Sequence, residues 1–137
     1  MNWFKAITLT TAITASSAMA EVAVIVHPSN AATVDQAEIT RLFTGRGTAF
    51  SNGSKATPLN LAESAAARGE FDSKVLSKSS SQMKAYWSKL VFTGKGTPPK
   101  ELSSDAEMKA AVAADATAIG YIDATAVDGT VKVLAKF

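Results

Sequence analysis

Glu21-Val-Ala-Val-Ile-Val-His27 places four β-branched residues among five consecutive apolar ones. A short apolar run without alternation suits a strand buried on both faces, as in a sheet covered by helices above and below. Pro28-Ser29-Asn30 ends it with turn-forming residues. Downstream, Thr33-Val-Asp-Gln36 has the form of a capping box, in which the Thr33 hydroxyl and the Gln36 side chain satisfy the first helix amides. Ile39, Leu42 and Phe43 then form the apolar face of a short helix, and Gly45 stands where a left-handed cap would stop it.

The same alternation of strand and helix continues to the end of the chain. Ser51-Asn52-Gly53 is a turn signal, and Thr57-Pro-Leu-Asn-Leu61 reads as the next strand. Ser64 is positioned to cap a second helix with Ala67, Phe71 and Val75 on its inner face. Ser79-Ser-Ser-Gln82 repeats the capping-box form. Met83, Trp87, Leu90 and Val91 follow at i, i+4, i+7 and i+8, the spacing of a buried stripe. Gly94 and Pro98-Pro99 end that helix. Ser104-Asp-Ala-Glu107 opens a fourth, carrying Met108, Ala111 and Val112, and Ala118–Ile122 and Val131–Leu134 are closing strands around a turn at Asp128-Gly129. The expected fold is α/β: a small three-layer unit with an open mixed or parallel sheet flanked by helices. No linker-like stretch divides residues 21–137, so one domain is expected.

Residues 1–20 read differently. One cation, Lys5, precedes an apolar stretch that ends Ser16-Ser-Ala-Met-Ala20, the form of a secretory signal peptide cleaved after Ala20. Export to the periplasm is therefore expected. Removing those 20 residues, with Lys5, from 137 residues and 14 basic ones leaves 117 residues with 13 basic against 12 acidic. The basic residues are scattered from Arg41 to Lys136, which gives no nucleic-acid footprint. No later stretch approaches the roughly 18 apolar residues of a spanning helix.

The chain has no cysteine and one histidine, His27. Thiol nucleophiles and thiolate metal sites are excluded, and a zinc site lacks enough nitrogen ligands. Nothing resembles a nucleophile elbow, and the acid pairs Glu70/Asp72 and Asp105/Glu107 sit two apart, where helix neighbours point away from each other. No enzyme, cofactor or metal is expected.

One echo stands out: Phe43-Thr-Gly-Arg-Gly-Thr48 and Phe92-Thr-Gly-Lys-Gly-Thr97. Shared helix-stop chemistry accounts for both, since glycine caps a helix end and a cation suits its negative pole. A pair of basic functional loops is the alternative. The spacing of a phosphate-binding nucleotide loop is missing.

In order along the chain, Val24-Ile-Val-His-Pro-Ser-Asn30, Ile39-Thr-Arg-Leu-Phe-Thr-Gly45, Thr57-Pro-Leu-Asn-Leu61, Tyr86-Trp-Ser-Lys-Leu-Val-Phe-Thr-Gly94 and Ala118-Ile-Gly-Tyr121 resemble the short phosphate ABC transporter substrate-binding-like proteins. These are similar to one lobe of the full-length periplasmic phosphate-binding proteins, of the type 2 periplasmic binding protein superfamily. The resemblance covers essentially all of residues 21–137. It implies a solute-binding domain that takes a small oxyanion, phosphate by analogy, for an ABC-type uptake or sensing system. Full-length relatives hold phosphate between two lobes, and the lobe resembling this one supplies an arginine and then Ser-Gly-Thr at a helix start. Ser64 matches the serine. Ala65 and Ala66 stand in place of the glycine and threonine, and Asn60 in the approximate place of the arginine, so a hydroxyl and a charge are lost.

Arg68, one turn into the helix, either compensates or points to solvent. Ser64 either caps the helix or donates to a ligand oxygen. Ser29 and Asn30 either form a turn or join the site, as ligands of open α/β sheets gather beyond strand carboxyl ends. A one-lobed chain would enclose its ligand only with a partner chain or as a homodimer. The alternative function is a ligand-free accessory module that partners a transporter, porin or membrane sensor.

Overall fold

The computed structural model describes residues 21–137; the expected signal peptide lies outside them. Strand β1, Val22–Val26, is buried at all five positions. Helix α1 (Gln36–Phe43) follows, then β2 (Thr57–Leu61), α2 (Ala66–Lys74), α3 (Ser80–Phe92), β3 (Lys100–Leu102), α4 (Asp105–Ala114), β4 (Ala118–Asp123) and β5 (Lys132–Lys136). The five strands form one sheet in the order β3-β2-β4-β1-β5. β2 runs parallel to β3 and β4, while β1 runs antiparallel to both β4 and β5. The sheet is thus mixed, as expected.

Both faces are covered, and β4 shows how. A Cβ on Gly120 would meet the Met108 side chain of α4. The next residue, Tyr121, stacks on Phe71 of α2, with centroids 3.9 Å apart and planes 2° apart, and meets Phe43 of α1 edge-on at 5.9 Å. Successive strand residues point to opposite faces. So α4 lies on one face and α1 with α2 on the other, which makes three layers. α3 packs on α2, and the Tyr86 hydroxyl donates to the Thr44 carbonyl at 2.6 Å, tying it to the end of α1.

Sheet order places the loops. Val26 pairs with Ile119, and Ile119 with Pro58, so the end of β1 is level with the beginning of β2. His27, Ser29 and Asn30 therefore stand at the opposite end of the sheet from Ser64. The expectation that they share one edge fails, because β1 enters antiparallel.

Several local readings are corrected. Asp35, not Thr33, caps α1, its Oδ1 accepting the Glu38 amide at 2.8 Å. Gln36 instead donates across to the Lys74 and Val75 carbonyls at the end of α2. Ala65, not Ser64, is the N-cap of α2, and no side chain caps that helix. β3 was not expected at all: it is a three-residue edge strand of Lys-Glu-Leu without an alternating pattern. The capping box at Ser79 holds, and Ser104 caps α4 as expected, but Glu107 accepts from Ser103 rather than Ser104, so no closed box forms there. The α3 stripe holds only in part. Met83 and Trp87 are buried, but in the last turn Val91 is 52% and Phe92 92% exposed.

Helix-stop chemistry explains the repeated motif. The Thr44 amide and hydroxyl both donate to the Thr40 carbonyl, and Thr93 does the same to Lys89. Gly45 and Gly94 follow with φ of 74° and 69°. The Arg46 amide then closes on the Arg41 carbonyl and that of Lys95 on Leu90, each at 2.9 Å. Both copies are glycine-terminated helix caps of the same design.

Candidate functional site

β2 delivers the chain to a cleft of about 880 Å³, with Asn60, Ser64 and Arg68 on one wall and Trp87, Val91 and Phe92 of α3 on the other. Asn60 is 5% exposed. Its Oδ1 accepts the Leu61 amide at 3.0 Å and the Tyr121 hydroxyl, and the Leu61 amide also reaches the Tyr121 oxygen at 3.2 Å. That bonding fixes Oδ1 as the acceptor end, so the amide nitrogen is the end left without a partner among the described residues. Burial raises the Tyr121 phenol well above its ordinary pKa, which keeps it neutral and able to support Asn60.

Ser64 lies between β2 and α2, exposed, and its hydroxyl makes no hydrogen bond among the described residues. The Ala65 amide turns back to the Ala62 carbonyl and that of Arg68 to Ala65. The amides of Ala66 and Ala67 are left unbonded at the positive end of the α2 dipole. Ala66 stands exposed in the first turn, so the threonine hydroxyl implied by the resemblance has no substitute there.

Arg68 does not point to solvent. It is 3% exposed; Nε donates to Asp72 Oδ2 at 2.8 Å, and Nη1 to the Leu61 carbonyl at 2.7 Å and Glu101 Oε1 at 3.3 Å. Burial works against its charge, but the Asp72 hydrogen bond and charge outweigh it, so the pKa stands above the ordinary arginine value. Asp72 Oδ2 also accepts the Ser80 hydroxyl at 2.9 Å, while its Oδ1 is buried without a partner among the described residues. Arg68 is therefore a bracing cation that joins α2, the end of β2 and β3, and Asp72 already neutralises it.

Around the mouth, Glu63 and Glu101 oppose Lys84 of α3. The walls carry no surplus of positive charge. Sequence reasoning missed Lys84 and Glu101, together with Val91 and Phe92, because α3 and β3 reach the cleft only through tertiary packing, and it passed over Glu63 beside Ser64.

The other residues expected to join the site are engaged in a turn at the far end of the sheet. His27 Nδ1 meets the Ser29 amide at 3.0 Å and its hydroxyl at 2.7 Å. Asn30 Oδ1 accepts the Ala32 amide at 2.8 Å, and its carbonyl accepts Lys132 Nζ at 3.0 Å. Among the described residues, no cluster of three or more His, Asp or Glu could hold a metal ion, and no helix is long and apolar enough to cross a membrane.

No family model matches the chain, and no curated protein matches it in sequence. Solved structures do match in fold. An ABC-type phosphate transport receptor from Vibrio cholerae superposes with a TM-score of 0.66 at 19% identity, over 84% of this chain and 45% of that one. A putative phosphate ABC transporter substrate-binding protein with bound phosphate from Clostridium perfringens gives 0.67 at 18%, over 84% and 44%. PstS from Borrelia burgdorferi gives 0.61 at 11%, over 85% and 47%. The chain spans under half the length of each. What this likeness establishes is the fold: a mixed α/β unit of the kind that makes up part of the phosphate ABC transporter substrate-binding proteins.

Proposed function

We propose that the chain is a solute-binding module, not an enzyme, and that its site is the cleft at the start of α2. Exported to the periplasm, it takes a small oxyanion, phosphate by analogy, on behalf of an ABC-type uptake or sensing system. One observation carries this reading: the start of α2 has no side-chain cap and adjoins a buried Asn60 whose amide nitrogen has no partner among the described residues. With the Ser64 hydroxyl and the Ala66 and Ala67 amides, this end of the domain offers hydrogen-bond donors and a positive helix pole together. Such a set complements an oxyanion. The matched receptors and binding proteins carry phosphate names, which agrees in kind.

Affinity follows from what is missing. Arg68 is neutralised by Asp72, and Glu63 and Glu101 offset Lys84, so hydrogen bonds must do most of the binding. Four donors at about 1 kcal/mol each give a dissociation constant on the order of 1 mM. Isothermal titration of the purified protein with phosphate, sulfate and arsenate at low ionic strength is the test. Saturable heat that favours phosphate and weakens in Ser64→Ala is the expected result. A flat trace with all three anions would remove the site and leave partner recognition as the function.

A further inference from the structure

Phe43 and Phe92 hold the same position in the two copies of the Phe-Thr-Gly-x-Gly-Thr motif, yet their surroundings are opposite. Phe43 is 1% exposed and packs edge-on against Phe71 with centroids 4.8 Å apart. Phe92 is 92% exposed, next to Val91 at 52%. Both line the cleft, as do Trp87 and the pair Pro98-Pro99. An aromatic ring left almost wholly in water beside further apolar surface marks an interaction face.

Charge around this face suggests what covers it. On the α3 ridge, Lys84 lies two turns before Phe92. Across the cleft stand Glu63 and Glu101. Among the described residues, neither Lys84 nor Glu63 forms an ion pair, and the Glu101 side chain is 54% exposed beside Arg68. A ridge bearing a cation and an aromatic ring thus borders a groove with carboxylates on its far side. A two-fold interface brings the same patch of two copies together, so a cation on one side and carboxylates on the other can each meet their opposite in the second copy.

We infer that a second copy of this chain covers the face. In this two-fold dimer, Phe92 of each copy enters the other's cleft, and each Lys84 meets the facing Glu63 and Glu101. The second copy closes over Ser64 and Asn60 as it docks, so the interface also encloses the candidate site that a single chain leaves open. The inference stands on the exposed face and its charges rather than on anion binding. Oligomeric state and titration heat are separate readouts, so either reading fails without the other.

Sedimentation velocity over two decades of concentration tests it. The wild-type chain is expected to dimerise reversibly, and Phe92→Asp to raise the dissociation constant by about 30-fold or more, as loss of an interface anchor does. Because Phe92 is exposed in the single chain, that variant should keep the wild-type circular dichroism and Tm. Lys84→Glu and Glu63→Lys should each weaken self-association, and mixing the two should restore a dimer of one copy of each. A wild-type chain that stays monomeric throughout overturns the proposal. So does a dimer indifferent to Phe92→Asp, or a mixture of the charge variants that fails to pair.

Discussion

Arg68 and Asp72, four apart on α2, look from the sequence like an exposed helix pair of small worth. The fold makes them something else, because α2 is covered on a second side by α3 and by β3, and the guanidinium ends 2.7 Å from the Leu61 carbonyl. No periodicity in residues 66–74 could report that. Of the two roles open to Ser64, the cap fails for a smaller reason: α2 starts one residue later than a serine cap would set it, and this frees the hydroxyl. Asn60, by contrast, was found only by its place along the chain, and its bonds to Leu61 and Tyr121 became visible with the sheet. A buried pair that brackets three elements should behave unlike a surface pair. Arg68→Ala should cost about 3–5 kcal/mol, since it leaves the Asp72 carboxylate buried without its cation and, among the described residues, with only the Ser80 hydroxyl bonded to it. Urea unfolding at neutral pH measures this; a loss no larger than that of an exposed pair would show that the bracket contributes little.

At the scale of elements, the paired helix stops give an internal control. Both Gly45 and Gly94 lie in the left-handed region, so alanine at either should cost about 1 kcal/mol from backbone strain alone. Only Gly45 faces a wall. A Cβ there would sit 2.9 Å from Trp87 Cη2, whereas one at Gly94 would meet nothing within 4 Å. Gly45→Ala should therefore lower Tm clearly more than Gly94→Ala, and equal losses would mean that Trp87 yields at no cost. The sequence revealed these stops because their chemistry is local. It also revealed β1, the apolar faces of α1 and α4, the capping box at Ser79 and the Ser104 cap, all of which are written within a few residues. Strand direction was not legible. β1 pairs with strands that begin at Ala118 and Lys132, and nothing in Val22–Val26 says which way they run. That single unknown left Ser29 and Asn30 open as partners of Ser64, when the sheet sets them at opposite ends. β3 escaped for want of length and pattern.

Without disulfides, the whole molecule depends on its core and on how its loops are held, and the last third shares one loop device. Asp115-Ala-Thr117, Asp123-Ala-Thr125 and Asp128-Gly-Thr130 each place an aspartate whose Oδ1 accepts both the amide and the hydroxyl of the threonine two residues on. These clips hold the entry to β4, its exit and the approach to β5. The Thr117 amide and hydroxyl hold Asp115 below the usual carboxylate range. The Thr125 hydroxyl and amide do so for Asp123. For Asp128, the Thr130 hydroxyl and then Lys109 bring the value down to about 2. In the unfolded chain these carboxyls titrate near 3.9, so the unfolded state binds more protons over this range. Their contribution is complete above that value and is lost as pH falls from about 4 toward about 2. Tm should accordingly drop through that window. The variant carrying Asn at 115, 123 and 128 keeps an acceptor oxygen but no charge. It should be less stable than wild type near neutral pH and converge with it as the pH approaches 2. Scanning calorimetry of both chains across the acid range measures the gap directly. A gap that stays constant to the bottom of the range would mean that the clips act through loop geometry alone, and that acid stability is set by carboxylates elsewhere in the fold.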